Sequence, residues 1–440
     1  MIRPALAALA LALFAAPAAA EVYTPPPPAT VVVAFDRETI RPLIVEGLAN
    51  KETGRKLEAN DPVRIASISK LIMALTALRL ADEGKVDLDR DVSDYLGWKM
   101  RSPYFPDVPV TLAQLMGHRA GLSGAADYIV PLGESLEAKF ADPASWREGV
   151  RPGGGENPFS VTDTPEFAYS NLGAPLVATV LEAASGERFD RLVERLVFAP
   201  LGVKACFNWI GCGPDMEARA VVLYRHSGEV AKDGAGDLPP ACTIPVIAGQ
   251  ACSLDNYVPG TNASIFSPQG GVRIGMVDLA KIGQALYALQ SGDGEGFVPF
   301  VTGDRFLWAL ARWPGTNEFF CTYGWHLQAI ELPNLGCIGD DLFRDGIPRI
   351  GHSGEAYGLQ SGLWIDPKGD TGFVYFTTEV PPPPGGEDTG GFTAREQALM
   401  ARARAVLAER ADPNFGRYHE RERERERAAG ALAVPTPDDD

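Results

Sequence analysis

Apolar positions fall in short runs at the two ends of the chain and at helical spacing through its middle. Near the start, "VVVAF" (31–35) is continuously apolar, and the partly apolar Ile40–Glu46 follows it after a polar turn. The pair predicts two strands, Val31–Phe35 and Ile40–Glu46. The stretch after Ser67, "KLIMALTALRLADEG", is apolar nearly all round and fades at Glu83–Gly84, which predicts a buried helix. From about 90 to 255, "TLAQLMGHRAGLSG" and "NLGAPLVATVLEAASGERFDRLVERLVFAPLG" read as helices with glycine stops. Asp278 is placed to start a helix in "MVDLAKIGQALYAL". Strand character returns in "RIGHSGEAYGLQSGLWIDPKGDTGFVYFTTEV", as three strands with "DPKGD" for the last turn. After "PPPPGG" (381–386), the segment 393–410 predicts a closing helix, with Thr393 and Glu396 spaced as a capping box.

Strands at both ends and helices between them predict an α+β fold. One antiparallel sheet is built from both chain ends with flanking helices, and a mostly helical region is inserted. The divisions expected are a leader at 1–20, a sheet domain from 21–90 with 256–411, the helical insertion at 91–255, and a disordered charged tail at 412–440. The leader, "MIRPALAALALALFAAPAAA", has Arg3 before an apolar centre and small residues at its end, as in a secretory signal peptide cleaved after Ala20. Its apolar run is shorter than the ~20 residues of a spanning helix. A periplasmic or secreted protein, with no membrane span in the mature chain, is the expectation.

Charge and cysteines refine this. A formal net charge of -17 disfavours nucleic acid and anionic lipid as partners. The six cysteines of an exported chain suggest disulfides, for which sequence neighbours are the favoured pairs: Cys206–Cys212, Cys242–Cys252 and Cys321–Cys337. A zinc site is disfavoured, because no Cys-x-x-Cys occurs and no His lies close by. No metal and no cofactor is expected. "PGGGEN" (152–157) reads as a flexible loop rather than a phosphate cradle.

Ser67 and Lys70 head the apolar helix, three residues apart and so on one face. Burial makes an ammonium group costly and lowers its pKa, so a lysine held there can take a proton from serine. The helix N-terminus favours a developing alkoxide. The same spacing also fits an N-cap serine beside a lysine that reaches out to water. Context favours chemistry: Tyr169-Ser170-Asn171 and His352-Ser353-Gly354 follow in order, the latter on a predicted strand. No Gly-x-Ser-x-Gly elbow or His-Glu-x-x-His motif competes.

These motifs and the stretches joining them resemble the serine β-lactamase and penicillin-binding protein superfamily on its class C side, which includes D,D-peptidases, esterases and amidases. The resemblance runs from about Val31 to Thr378. It takes in "RIASISKLIMALTALRLADEGKVDLDRDVSDYL", "SPQGGVRIGMVDLAKIGQAL" and "GHSGEAYGLQSGLWIDP". It implies Ser67 as acylated nucleophile, Lys70 as its activating partner and Tyr169 as the proton-exchanging phenol. It implies Asn171 on the acyl-side amide, with His352, Ser353 and Gly354 along the substrate strand. Backbone N–H groups of Ser67 and Glu355 would form the oxyanion hole. Lys70 and Tyr169 stay open as alternatives for the base.

Two departures matter. His352 stands where β-lactamases of the superfamily carry lysine, and Glu355 stands where small residues are usual. His118 and Ala120 read as structural. The function expected is an exported serine hydrolase acting on a small-molecule or peptide amide or ester, D,D-carboxypeptidase-like or esterase-like. The alternatives are a true β-lactamase, or a non-catalytic module of this fold that binds cell-wall fragments or a protein partner.

Overall fold

A computed structural model describes residues 26–153, 167–233, 247, 253–291, 322–331, 340–366, 369–381, 391–410 and 415–416. The leader, the pairs Cys242–Cys252 and Cys321–Cys337, and the tail beyond 416 lie outside these residues. Five strands precede the first long helix: β1 (Thr30–Phe35), β2 (Ile40–Glu46), β3 (Leu48–Asn50), β4 (Arg55–Lys56) and β5 (Val63–Arg64). Mid-chain come β6 (Ala205–Phe207), β7 (Leu223–Tyr224), β8 (Val230–Lys232) and β9 (Val272–Ile274). The last are β10 (Thr322–Gly324), β11 (Leu327–Ile330), β12 (Arg349–Ala356), β13 (Leu359–Asp366) and β14 (Thr371–Thr377). The long helices are α1 (Ile68–Asp82), α2 (Gly173–Ser185), α3 (Met276–Ser291) and α4 (Ala394–Glu409).

The main sheet is antiparallel, in the order β10-β11-β12-β13-β14-β1-β2. The two chain ends meet where β1 pairs with β14, with Val32 opposite Tyr375 and Val33 opposite Val374. Both faces of β1 are buried, which is why its sequence is a continuous apolar run. Val31, Val33 and Phe35 join the larger core with Leu279 and Ile282 of α3. Val32 and Ala34 face the other way, into a core with Leu399 and Met400 of α4. Burying each large apolar side chain contributes roughly 1.5–3 kcal/mol. Pro42 is tolerated because β2 is an edge strand, and the register shifts at Val32/Val33 beside it.

Three expectations need amendment. Asp278 lies in the first turn of α3 rather than at its start, and its own N–H is capped by Asn60 Oδ1 at 3.1 Å. The β10–β11 hairpin adds two strands that the apolar pattern did not predict. Its two-residue turn is Trp325-His326, both at positive φ (49° and 58°), where Asn-Gly is the usual sequence signal. The described part of 91–255 holds α2 and several short helices together with the β6, β7 and β8 strands. The Thr393–Glu396 capping box is present on α4, and Cys206 and Cys212 form a disulfide with Cα atoms 5.2 Å apart.

A second, three-stranded sheet, β5-β9-β6, leads directly into α1. Val63 lies opposite Ile274, and Arg64 lies opposite Arg273. Among the described residues no helix is long and apolar enough to cross a membrane.

Candidate active site

Ser67 owes its place to a sharp entry into α1. The chain leaves β5 through Ala66 at φ 47°, an uncommon backbone region for a residue with a Cβ. Ser67 then adopts helical angles, φ -65° and ψ -11°, and its side chain caps no backbone N–H. That excludes the N-cap role: its hydroxyl is directed at other side chains. Helix α1 is buried from Ile68 to Leu78, and Ser69 ties it to β9 by accepting a 3.1 Å hydrogen bond from the Val272 N–H.

Lys70 is fully buried, so it does not reach water. Its Nζ lies 3.0 Å from Ser67 Oγ and 2.8 Å from the Gln269 carbonyl. Tyr169 precedes α2, and its Oη lies 3.0 Å from the same Ser67 Oγ. The Tyr169 ring faces Lys70 Nζ at 4.9 Å from its centroid and stacks on His118 at 4.3 Å. His118 Nδ1 accepts the Ser170 N–H at 3.1 Å, so His118 holds both the ring and the backbone of the Tyr169 segment.

Protonation follows from burial. Lys70 is held well below the usual lysine range by desolvation. Among the described residues its contacts are a hydroxyl, a carbonyl and an aromatic face, with no carboxylate to retain a proton. Burial pushes the Tyr169 phenol well up, against the opposing effect of its hydrogen bond to Ser67. Tyr169 therefore stays protonated and donates to Ser67 Oγ. Lys70 Nζ donates to the Gln269 carbonyl and to Ser67 Oγ, and its lowered pKa eases the loss of a proton from the amine. This arrangement favours Lys70 over Tyr169 as the base.

Strand β12 forms one wall. A Cβ on Gly354 would come within 2.5 Å of both the Ile65 carbonyl and Ser361 Oγ, so only glycine lets β12 lie this close to the chain entering Ser67. Ser353 is held by Gln328 of β11, which accepts its N–H at 2.8 Å and its hydroxyl at 3.2 Å. His352 is buried, and burial, followed by the nearby Lys70, pushes it down to about 3. It is neutral at physiological pH. A cleft of about 280 Å³ opens on Ser67 and is lined also by Asn171, Glu355, Tyr357, Arg64 and Lys232. His352 and Ser353 do not line it.

The geometry thus brings Ser67, Lys70 and Tyr169 together and sets Asn171 and Glu355 on the cleft wall. Sequence reasoning passed over the Gln269 carbonyl, Gln328 and the support that His118 gives Tyr169. It also passed over Arg64, a cation in the buried strand just upstream of Ser67, whose signal was visible as a charge within "VRIAS". Among the described residues no group of three or more His, Cys, Asp or Glu is placed to hold a metal.

The family described as Beta-lactamase matches residues 27–397, a span that takes in α1, Tyr169 and β12. The chain belongs to the Beta-lactamase family. Over 147 residues it is 31% identical to D-alanyl-D-alanine-carboxypeptidase/endopeptidase AmpH of Escherichia coli (strain K12), covering 32% of this chain and 35% of that protein. Over 199 residues it is 31% identical to Esterase EstB of Burkholderia gladioli, covering 42% and 46%. Penicillin-binding protein 4 of Amycolatopsis lactamdurans is 23% identical over 331 residues, 74% of each chain. The chain thus spans about a third of AmpH and under half of EstB. Among solved structures, SurE matches with a TM-score of 0.56 at 20% identity, over 86% of this chain and 72% of that one. A class C beta-lactamase matches at 0.56 and 16%, over 88% and 92%. These two likenesses concern the fold, which agrees with the α+β architecture expected from the sequence.

Proposed function

We propose that this chain is an exported serine hydrolase that cleaves an amide or ester through an acyl-Ser67 intermediate, with peptidase or esterase activity. The observation that carries the reading is that Lys70 Nζ and Tyr169 Oη each lie 3.0 Å from Ser67 Oγ. Lys70 takes the Ser67 proton as Oγ bonds the carbonyl carbon. Backbone N–H groups of Ser67 and Glu355 receive the oxyanion. Tyr169 passes a proton to the leaving nitrogen or oxygen as the carbon–heteroatom bond breaks, and is itself reprotonated from Lys70. Water then repeats the sequence to free Ser67. Asn171 holds the acyl-side amide. Export is supported by the leader at 1–20.

The neutrality of His352 favours peptidase or esterase activity over β-lactamase activity, because no fixed cation stands there to meet the carboxylate of a β-lactam. The presence of every side chain the chemistry needs argues against a non-catalytic module. A fluorophosphonate probe tests the nucleophile: the intact mass should rise by one adduct in the wild type and not in Ser67→Ala. An unlabelled wild type, or equal labelling of the mutant, would sink the assignment. A panel of a D-Ala-D-Ala peptide, a short-chain nitrophenyl ester and a cephalosporin ranks the activities, and dominant cephalosporin turnover would reverse the ranking.

A further inference from the structure

The cleft beside Ser67 is electrostatically unbalanced on one side. Arg64 and Arg273 stand opposite each other on β5 and β9, a pairing of like charges that is unfavourable on its own. Asp233 lies between them, with Oδ1 2.7 Å from Arg273 and Oδ2 3.4 Å from Arg64. All three side chains are buried. One carboxylate serves two guanidiniums, and the closer contact goes to Arg273, which does not line the cleft. Arg64 does line it. Its Nη1 donates to the Gly270 carbonyl at 3.1 Å, and its guanidinium lies 5.2 Å from the centre of the Tyr357 ring. These contacts use Nε and Nη1 and leave Nη2 without a hydrogen-bond partner among the described residues. Lys232, next to Asp233, lines the same cleft and adds a second cation. Among the described residues the one carboxylate lining the cleft, Glu355, is solvent-exposed, where its repulsion is screened.

Ser67, Glu355, Ala356, Tyr357 and Arg64 line one continuous cleft, whereas His352 and Ser353 do not line it. Asn171, assigned above to the acyl-side amide, lines the same cleft.

We propose that Arg64, assisted by Lys232, forms an anion-binding subsite for the acyl part of the substrate, so that the preferred acyl groups carry a carboxylate at their far end. This rests on the acyl-Ser67 reading and adds the substrate class to it. A guanidinium presents paired N–H donors that match carboxylate geometry, and its charge persists at any working pH. Arg273 and Asp233 act behind it as positioning residues: Asp233 holds the two guanidiniums together without neutralising both.

The test compares three 4-nitrophenyl esters of equal chain length. They are the half-ester of adipic acid, the ester of adipic acid monoamide, and the neutral hexanoate. In each, the bond from Ser67 Oγ to the acyl carbon forms as the bond to nitrophenolate breaks, and the Ser67 proton passes to Lys70. The expected result is a kcat/KM about tenfold higher for the half-adipate than for either neutral ester. Arg64→Gln should bring that ratio close to one, and Lys232→Gln should lower it by about twofold, which keeps the test usable if Arg64→Gln fails to fold. A wild-type ratio of one or less, with both neutral esters cleaved, overturns the subsite and leaves acyl-Ser67 standing. If no ester is turned over faster by the wild type than by Ser67→Ala, the proposed function falls and the subsite with it.

Discussion

Two buried basic centres flank the segment Gln269–Gly270, and they hold their protons in opposite ways. Lys70 donates to the Gln269 carbonyl and has no carboxylate among its described contacts. Arg64 donates to the Gly270 carbonyl, one residue on, and shares Asp233 with Arg273. Burial acts on both centres. It pushes Lys70 well below the ordinary lysine range, which suits the base role proposed for it. It lowers Arg273 only to about 10, opposed by Asp233, so that group stays charged. A buried cation with a carboxylate serves recognition or structure, and one without serves proton transfer.

The largest expected effect strikes the first centre. Lys70→Ala should lower kcat for any ester the protein cleaves by about 10⁴-fold, the upper range for loss of a positioned base. Because Lys70 has no carboxylate among its described contacts, its loss orphans no counter-charge, and the urea midpoint should move far less than in the Asp233 variant below. The wild-type pH profile should agree. The amine is active when deprotonated, so kcat/KM should rise with pH through a value well below that of ordinary lysine and then level off. A profile that instead rises only near the normal lysine range would break the contrast between the two centres.

The second centre should respond in stability. Asp233→Asn leaves Arg64 and Arg273 facing each other without a carboxylate, at a cost of about 3–5 kcal/mol. Burial works to raise the Asp233 pKa, but the charges of Arg273 and Arg64 and the hydrogen bonds from Arg273 and Trp209 outweigh it, and the net shift is downward. A lowered carboxylate pKa contributes stability that is fully present above the unfolded value of 3.8 and is lost as pH falls through the folded value. The gap between wild type and Asp233→Asn in urea denaturation should therefore be constant near neutrality and close below about pH 3.8. A gap that persists unchanged at lower pH would remove the ion pair as its cause.

The two centres also differ in how legible they were. Ser67, Lys70 and Tyr169 could be read because a long apolar helix marks the burial of Lys70 and three short motifs recur in order. The Arg64–Asp233–Arg273 cluster could not. It is assembled by β5, β9 and the end of β8, strands of two or three residues, too short to show a period of two. Its charges are also far apart in sequence. The β10–β11 hairpin escaped for a related reason, since Trp325-His326 adopts a turn that sequence patterns assign to Asn-Gly. What was read correctly at the chain ends, β1 and β2 above all, was read because burial on both faces of β1 writes itself as five consecutive apolar residues.

Tyr169→Phe sharpens the first centre at smaller scale. It removes the hydroxyl that donates to Ser67 Oγ but keeps the ring on which His118 stacks. The expected loss in kcat is about 10²-fold, at the lower range for proton-transfer groups, because Lys70 still takes the serine proton. A loss as large as that of Lys70→Ala would make Tyr169 an equal partner in the base.

The smallest expected effect probes the second centre without changing its charge. Trp209 Nε1 donates to Asp233 Oδ1 at 3.3 Å, and its ring lies 5.3 Å from the Arg273 guanidinium. Trp209→Phe deletes the hydrogen bond and keeps an aromatic face, so stability should fall by about 1 kcal/mol, read as a shift in the urea midpoint at constant slope. Asp233 would keep both arginines, and the preference for the half-adipate ester over the hexanoate should survive. If Trp209→Phe instead abolished that preference, the position of Arg64 would depend on the indole N–H rather than on the shared carboxylate. The second centre would then be a packing feature rather than an electrostatic one.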